Sequence, residues 1–480
     1  MLVRKDDRQY IGQYIGGRWE PGLGGALTLH DPATGEPAGT LRFASSGQAR
    51  AAVSAAAGAL AAWAATPAPE RAAILAAAGA NLLRRADDIA AVLSAEVGTP
   101  IAQSRRLQVE SAAHVLMQAP QWLRPGTLQF DIDRTVVSRV PIGVAACITP
   151  WNYPLYLAAC KIVPALLAGA PLVLKPSELA PRSIAALADA LVDALSDAGA
   201  PAGVFNLVYG DAAIGAQLVS DPDVAVVSFT GSTPVGRRIA EACGRSLKRV
   251  SLELGGKSPS VVLDDADLAA AVHGTVQKCF QNAGQTCAAL SRLLVPKARF
   301  EAAGQLAAQA ANALRVGDPL DPATELGPLI SAAQQQRAQQ LIQRATEQGA
   351  ACLAGGAGQP ANLARGYFVA PTVVATTDSR LDIVHTEAFA PVLTLLPYDD
   401  EDQAVALANA TPFGLSGAVW SASAERALAV GRRLRAGSVS LNGARTHPDA
   451  PFGGFGDSGF GRERGPLALE EFSTTQAINR

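Results

Sequence analysis

From about Ser45 to His114 the chain is alanine-rich, with leucines spaced along one helical face, and Pro67, Pro69 and Pro100 interrupt it. That pattern predicts a succession of separate helices. Ser45 followed by Gln48 has the form of a capping box and marks where the first of them starts. Further on the period changes. Short apolar, β-branched runs at 143–148, 171–174, 204–208, 224–229 and 250–254 alternate with helical stretches at 158–167, 181–198, 214–219 and 235–244. Strands apolar at nearly every position are buried on both faces, so this alternation predicts a parallel, doubly wound α/β sheet. A second α/β pattern starts near Asp265, with strands expected at 291–295, 372–374, 392–397 and 438–442. The segment 127–140 alternates apolar and polar residues and lacks helix signals, which predicts a hairpin or edge strand outside the main domain. Residues 1–44 are glycine-rich, with turn signals at Gly16-Gly17, Asp31-Pro32 and Thr34-Gly35, and predict short strands and an N-terminal arm. There is no internal repeat and no low-complexity linker. Two α/β domains are expected.

Composition narrows the function classes. The 480 residues are 49% hydrophobic and 17% charged, enough for a large core and far from a disordered composition. A net charge of −2 removes the electrostatic case for nucleic-acid binding. The best apolar run, 162–174, contains Pro164 and Pro171 and is expected to be buried core, not a membrane span. Residues 1–10 mix Arg4, Lys5, Asp6, Asp7 and Arg8 with no apolar stretch behind them, so no signal peptide and a cytoplasmic location are expected. Six cysteines without a CxxC pair, and five scattered histidines, predict a reducing compartment with neither a disulfide framework nor a metal site. Lysine occurs only at 5, 161, 175, 248, 257, 278 and 297 in a chain that otherwise uses arginine, which makes each lysine informative.

Two nucleotide-binding patterns fail on context. Gly454-Phe-Gly456-Asp-Ser-Gly459 fits GxGxxG, but too little chain follows it for a βαβ unit, and a glycine-rich surface loop is expected instead. Gly256-Lys257-Ser258 resembles the end of a P-loop, but the required first glycine is Ser251. Phe229-Thr-Gly231-Ser232-Thr-Pro-Val-Gly236 is better placed, after a strand and opening a helix, where free N–H groups favour a pyrophosphate. An ordinary turn with Ser232 as N-cap reads equally from these residues. Lys175-Pro-Ser177-Glu178 follows a strand at the edge where such sheets bind ligands, and its charges suit ribose hydroxyls or a surface ion pair. Cys287 ends the polar turn Phe280-Gln-Asn282-Ala-Gly284-Gln285-Thr286, poor core material, which suits a loop-borne nucleophile better than a core cysteine. Glu253 ends a strand before two glycines, either exposed or desolvated as a base. Asn152, after the 143–148 strand, has an amide for an oxyanion or for capping a turn.

Together TPWNYP, LKPSE, FTGSTPVG, LELGGKSP, FQNAGQTC, EAFAPV and PFGGFGDSGFGRE resemble the NAD(P)-dependent aldehyde dehydrogenase superfamily, in order and across nearly the whole chain. The resemblance implies a Rossmann-type cofactor domain (1–122 and 142–253), an α/β catalytic domain (254–456) and a small β oligomerisation arm (123–141 and 468–480). It implies Cys287 as nucleophile, Glu253 as general base, Asn152 as oxyanion amide and Lys161 as active-site lysine. It places cofactor contacts at Ile148, Thr149, Pro150, Trp151, Lys175, Ser177, Glu178, Phe229, Gly231, Ser232, Leu254, Glu387 and Phe389. It also implies a homodimer or homotetramer, since 127–140 and 472–478 resemble segments that pair across subunits.

Three positions depart from the family pattern. The loop Thr386-Glu387-Ala388-Phe389-Ala390-Pro391-Val392 lacks the flanking acid and the glycine that members often have there, while Glu387 and Phe389 are present. Gly456-Asp457 replaces a basic-residue pair. Cys160 stands where many members have tryptophan beside the substrate channel. With Tyr153, Leu157 and Phe280 as apolar walls and Thr286 beside the nucleophile, Cys160 leaves room for a bulky hydrophobic aldehyde. Glu178 would accept from a ribose 2′-hydroxyl but repel a 2′-phosphate by roughly 1–3 kcal/mol, which favours NAD over NADP. A coenzyme A-acylating enzyme, a cofactor-free thiol esterase and a silent binding protein are the other readings. The esterase has no use for Lys175, Glu178 and Glu387, and the silent protein has none for Cys287, Glu253 and Asn152.

Overall fold

A computed structural model describes residues 12–480. The charged segment read against a signal peptide, residues 1–10, lies outside them. Five parallel strands form the centre of the first sheet: β1 Val144–Ile148, β2 Leu172–Lys175, β3 Phe205–Leu207, β4 Val224–Thr230 and β5 Arg249–Glu253. Their order is β5-β4-β1-β2-β3, extended by Gly459–Phe460 antiparallel to β5 and by Gln13–Ile15 and Arg18–Glu20 beyond β3. The crossover helices are α1 Pro154–Ala168, α2 Pro181–Asp197, α3 Ala212–Ser220 and α4 Thr233–Arg245. The chain leaves β1 in one direction to β2 and β3, then returns to its other side at β4. Ligands of doubly wound sheets bind at that reversal, outside the carboxyl ends of the strands.

Strand periodicity explains the two covered faces. Ala145, Cys147, Leu172 and Leu174 enter one core with the N-terminal helices, α1 and α2. Val144, Ala146, Ile148 and Val173 enter the other, with Ile214, Leu218 and Ile239 of α3 and α4. The first helix, Ser46–Ala65, opens with the expected capping box: Gln48 N–H donates to Ser45 Oγ at 3.2 Å and Ser45 N–H to Gln48 Oε1 at 3.0 Å. The 162–174 run is buried throughout. No single helix among the described residues is long and apolar enough to cross a membrane.

The second sheet has seven strands with its own core. The sequence pattern misses its inner strands Pro259–Val262 and Ser416–Trp420 and its edge strand Ala351–Ala354. The inner pair are short and punctuated by proline or glycine, which weakens any local strand signal. The alternating segment forms the hairpin Gln129–Ile132 and Thr135–Pro141, and Ser473–Asn479 pairs along the whole of the latter. The Gly454–Gly459 loop is not the free surface loop expected. Ser458 is buried, its Oγ donates to Gly255 O at 2.6 Å, and Leu254 N–H donates to Ser458 O at 3.1 Å. The loop is thereby clamped to the end of β5.

Candidate active site

Helix α5, Leu268–Phe280, ends where Asn282 and Ala283 both turn to φ 54° and Gly284 to φ 71°. Left-handed backbone is unfavourable for residues other than glycine and persists only where surroundings hold it. Here the Asn282 side chain does so. Its Oδ1 accepts from Thr99 Oγ1 at 2.6 Å, and its Nδ2 donates to the Asn152 carbonyl at 3.0 Å. Two glycines then let neighbouring loops close on Cys287. A Cβ on Gly284 would lie 2.1 Å from Ala390 O, and one on Gly256 would lie 2.6 Å from Cys287 O. The cysteine therefore sits against the end of β5. It is partly exposed, whereas Cys147, Cys160, Cys243 and Cys279 are buried.

Asn152 follows β1 and is buried, with Nδ2 donating to Gln285 O at 2.9 Å and Oδ1 without a partner. Its second amide N–H is left for another acceptor. Glu253 is buried at the end of β5, and neither carboxylate oxygen has a partner. Burial first, and the nearby Glu463 carboxylate second, hold its pKa well above the carboxylate range. Of the two readings open for Glu253, the desolvated one holds. Burial, Glu253 and Glu387 likewise raise the Cys287 thiol, so it rests protonated and needs a base. Lys161 does not reach outward. It is buried in α1, and its Nζ donates to Ser228 Oγ at 2.9 Å and Glu463 Oε1 at 2.5 Å. Its contacts tie it to Ser228 and Glu463, one on β4 and the other in the C-terminal loop.

The strand ends carry the other group of residues. Thr149 and Thr230 end the adjacent strands β1 and β4, and both hydroxyls are buried without partners. Lys175 is buried, its Nζ 3.8 Å from Glu178, so the pair is not a purely surface ion pair; burial lowers its pKa. Ser177 Oγ accepts from Leu179 N–H at 3.3 Å and shapes the turn between them. Ser232 is the N-cap of α4, exposed, and makes no side-chain cap bond, which leaves its hydroxyl free. Ile148 and Phe229 belong to the core beneath, and a Cβ on Gly231 would strike the Phe229 ring at 2.4 Å. All three stand at the strand ends of the cofactor edge, with the two side chains turned into the core. Leu254 packs on Gly236, while Pro150 and Trp151 remain partly exposed.

Glu387 Oε1 accepts from Gly256 N–H at 3.0 Å, and its carboxyl is raised by burial. Phe389 has φ 50° and meets Trp151 edge-on at 5.5 Å. Gln334 Nε2 holds this turn through the carbonyls of Ala388 (3.2 Å) and Phe389 (2.9 Å), which preserves the loop despite Ala390. Asp457 ion-pairs with Arg237 of α4 at 2.7 Å, so the other departure from the family pattern ties the C-terminal loop to the first sheet's helix.

On the substrate side, Tyr153 OH shares hydrogen bonds of 2.9 Å with Thr286 Oγ1 and Gln281 Nε2. Leu157 is buried. Phe280, expected as a channel wall, instead joins the second core because it belongs to the last turn of α5; Gln281 takes the place beside Tyr153. Cys160 is fully buried in the first core, with Tyr156 one turn earlier and Arg464 and Glu463 as electrostatic neighbours. The sequence reading missed Glu463, Arg464 and Gln281. The only local signal was a Gly-Arg-Glu-Arg-Gly run of charges between glycines.

Comparison with known proteins agrees with this geometry. The chain is 40% identical over 474 residues to a 3-succinoylsemialdehyde-pyridine dehydrogenase of a Pseudomonas species, covering 98% of each protein. Its structure superposes with TM-score 0.95 and 40% identity on a variant of aldehyde dehydrogenase C of Pseudomonas syringae complexed with NAD+ and octanal, covering 99% of this chain and 98% of that one. An NADP-dependent enzyme of Escherichia coli superposes at 0.93 with 36% identity, covering 99% of each. Residues 19–478 match the sequence profile of the aldehyde dehydrogenase family. With a thiol, a buried carboxyl and an amide set at the carboxyl ends of a doubly wound sheet, the chain belongs to the aldehyde dehydrogenase family.

Proposed function

We propose that the protein oxidises a bulky hydrophobic aldehyde to its carboxylic acid with NAD, through a hemithioacetal and then a thioester on Cys287. The carrying observation is the Glu253 carboxyl, buried without a partner and raised in pKa, beside the protonated Cys287 thiol. Burial makes its ionised form a stronger base than an ordinary carboxylate, which suits a general base. The thiol yields its proton to Glu253 as sulfur bonds to the aldehyde carbon. The resulting oxyanion accepts from the free Asn152 amide N–H and the Cys287 backbone N–H. The buried unpartnered hydroxyls of Thr149 and Thr230, and the close backbone approach at Gly231, fit a dinucleotide at the strand ends. NAD bound there would supply the hydride acceptor, and Cys287 would keep the acyl group as a thioester. Glu253 first passes the thiol's proton to solvent; as a carboxylate again it takes a proton from water, whose oxygen attacks the thioester carbon, and the Cys287 thiolate leaves as the acid is released.

The substrate reading rests on Tyr153 and Leu157, with Cys160 in place of an indole. An aldehyde panel followed by NADH formation, with and without coenzyme A, tests it. Longer aliphatic and aromatic aldehydes are expected to exceed acetaldehyde in kcat/KM, with no requirement for coenzyme A. NADH formed only with coenzyme A would favour the acylating reading. A higher kcat/KM for acetaldehyde would exclude the bulky one.

Glu178 sets the cofactor expectation. Its carboxylate beside Lys175 disfavours a 2′-phosphate by roughly 1–3 kcal/mol, or about ten- to a hundredfold in affinity. NAD is therefore expected to exceed NADP in kcat/KM, and Glu178→Ser to narrow the ratio. A wild-type preference for NADP would overturn this.

The hairpin strand Thr135–Pro141 and Ser473–Asn479 form a sheet with Phe130, Ile132 and Ile478 exposed, which supports a dimer or tetramer joined there. We place it in the cytoplasm on its free thiols. Light scattering is expected to return a multiple of the 49.3 kDa chain mass. A monomer at all concentrations would defeat the assembly reading.

Glu253 also has a thermodynamic consequence. A carboxyl with raised folded pKa binds its proton more tightly folded than unfolded, so its contribution to stability falls as pH rises above the unfolded value near 4.5. Glu253→Gln is expected to flatten that fall in thermal unfolding between pH 5 and pH 8. Parallel pH–stability curves for the two proteins would contradict a raised pKa.

A further inference from the structure

Arg464 is placed unlike any other basic residue near the site. Its backbone is held at φ 69°, where a side chain is disfavoured. Its guanidinium carbon lies 4.0 Å from the Phe452 ring centroid and 5.3 Å from that of Tyr156. Its neighbours are engaged: Arg462 donates to the Gly454 and Gly461 carbonyls, and Glu463 accepts from Lys161. Among the described residues Arg464 makes no hydrogen bond and no ion pair. The Tyr156 it stacks on lies on α1 beside Leu157 and one turn before Cys160, and Cys287 and Glu253 are among its electrostatic neighbours, so it stands on the substrate side of α1.

Arg464 is partly exposed, and its cation is stacked on two aromatic faces with no carboxylate bonded to it, which leaves its fork open to a ligand. No protein carboxylate is bonded to it: Glu463 is taken by Lys161, and Glu253 makes no hydrogen bond. Burial disfavours the charge on Arg464, but the groups around it more than compensate, so it stays cationic. The cation lies on the substrate side, between ring faces that suit an apolar chain. Its planar fork suits a carboxylate.

We infer that Arg464 receives a carboxylate at the far end of the substrate, so that the preferred aldehydes are ω-oxo carboxylates with an apolar spacer. The inference rests on the dehydrogenase reading and deepens it: hydrophobicity describes the middle of the substrate, and Arg464 its end. It creates no new chemical step.

The test compares each ω-oxo carboxylate of a series, from succinate semialdehyde upward, with the neutral aldehyde of the same length, using wild type, Arg464→Leu and Arg464→Lys. For the best spacer, wild type should favour the charged substrate by about tenfold or more in kcat/KM, through KM. Its KM alone should rise with salt. Arg464→Leu should collapse the ratio, and Arg464→Lys should restore a large part of it. A neutral substrate preferred by wild type at every length, or a ratio unchanged in Arg464→Leu, would overturn the inference. An equal loss on charged and neutral substrates with a displaced pH profile would instead make Arg464 a counter-ion of Glu253, and would also overturn it. If Arg464→Leu fails to fold, the wild-type ratio and its salt dependence decide. Failure of the dehydrogenase reading is distinct, because no aldehyde would then yield NADH.

Discussion

Replacing Cys287 with alanine removes dehydrogenase and esterase activities together, by about 10⁴-fold or more in kcat, while the fold and NAD binding survive. Both reactions need the same sulfur, and no other cysteine has its position. Four are buried and Cys352 lies on the edge strand of the second sheet. The fold survives because the loop is held by other atoms. Asn282 bonds Thr99 and Asn152, and the Cys287 carbonyl rests on Gly256. The Cys287 thiol itself makes none of these contacts. Circular dichroism and NAD titration of the variant check the second half, and steady-state rates the first. Dehydrogenase activity persisting in the variant would contradict the assignment.

Glu253→Gln separates the two half-reactions. Glutamine fills the same buried space but cannot take a proton, so thioester hydrolysis is expected to slow by about 10²–10⁴-fold. Acylation loses a proton acceptor too, yet the thiol can pass its proton to solvent through the partly exposed loop. A stoichiometric burst of NADH should therefore remain while turnover collapses, as read by stopped-flow absorbance. In wild type, the raised carboxyl makes deacylation increase with pH as Glu253 ionises, a rise the variant should lack. Loss of the burst with turnover would place the essential role of Glu253 in activating Cys287.

Most of the first sheet was legible because each inner strand is a compact apolar run ending at a turn residue. The expected limits 224–229 and 250–254 differ by one residue from Val224–Thr230 and Arg249–Glu253. Cys287, Glu253 and Asn152 stood out because each lies at or after an element end marked by glycine, proline or amide residues, but their roles came only from the family resemblance. Phe280 was misplaced because one residue separates the last helical turn from the loop, and a boundary that fine is not encoded locally. Glu463 and Arg464 were missed for another cause. Gly459–Phe460 carries them back to β5 from some 200 residues away, a contact with no signature in either segment. Lys161 was visible as a rare lysine, but its ion pair with Glu463, 302 residues away, was not.

The central claim is an acyl group carried on Cys287 and released by Glu253. Its most direct test is intact-protein and peptide mass of Glu253→Gln enzyme quenched in acid after mixing with NAD and a long-chain aldehyde. A mass gain equal to one acyl group per chain is expected, on the peptide containing Cys287 and dependent on NAD. An unmodified Cys287 peptide while NADH is produced, or acylation at another residue, would contradict it.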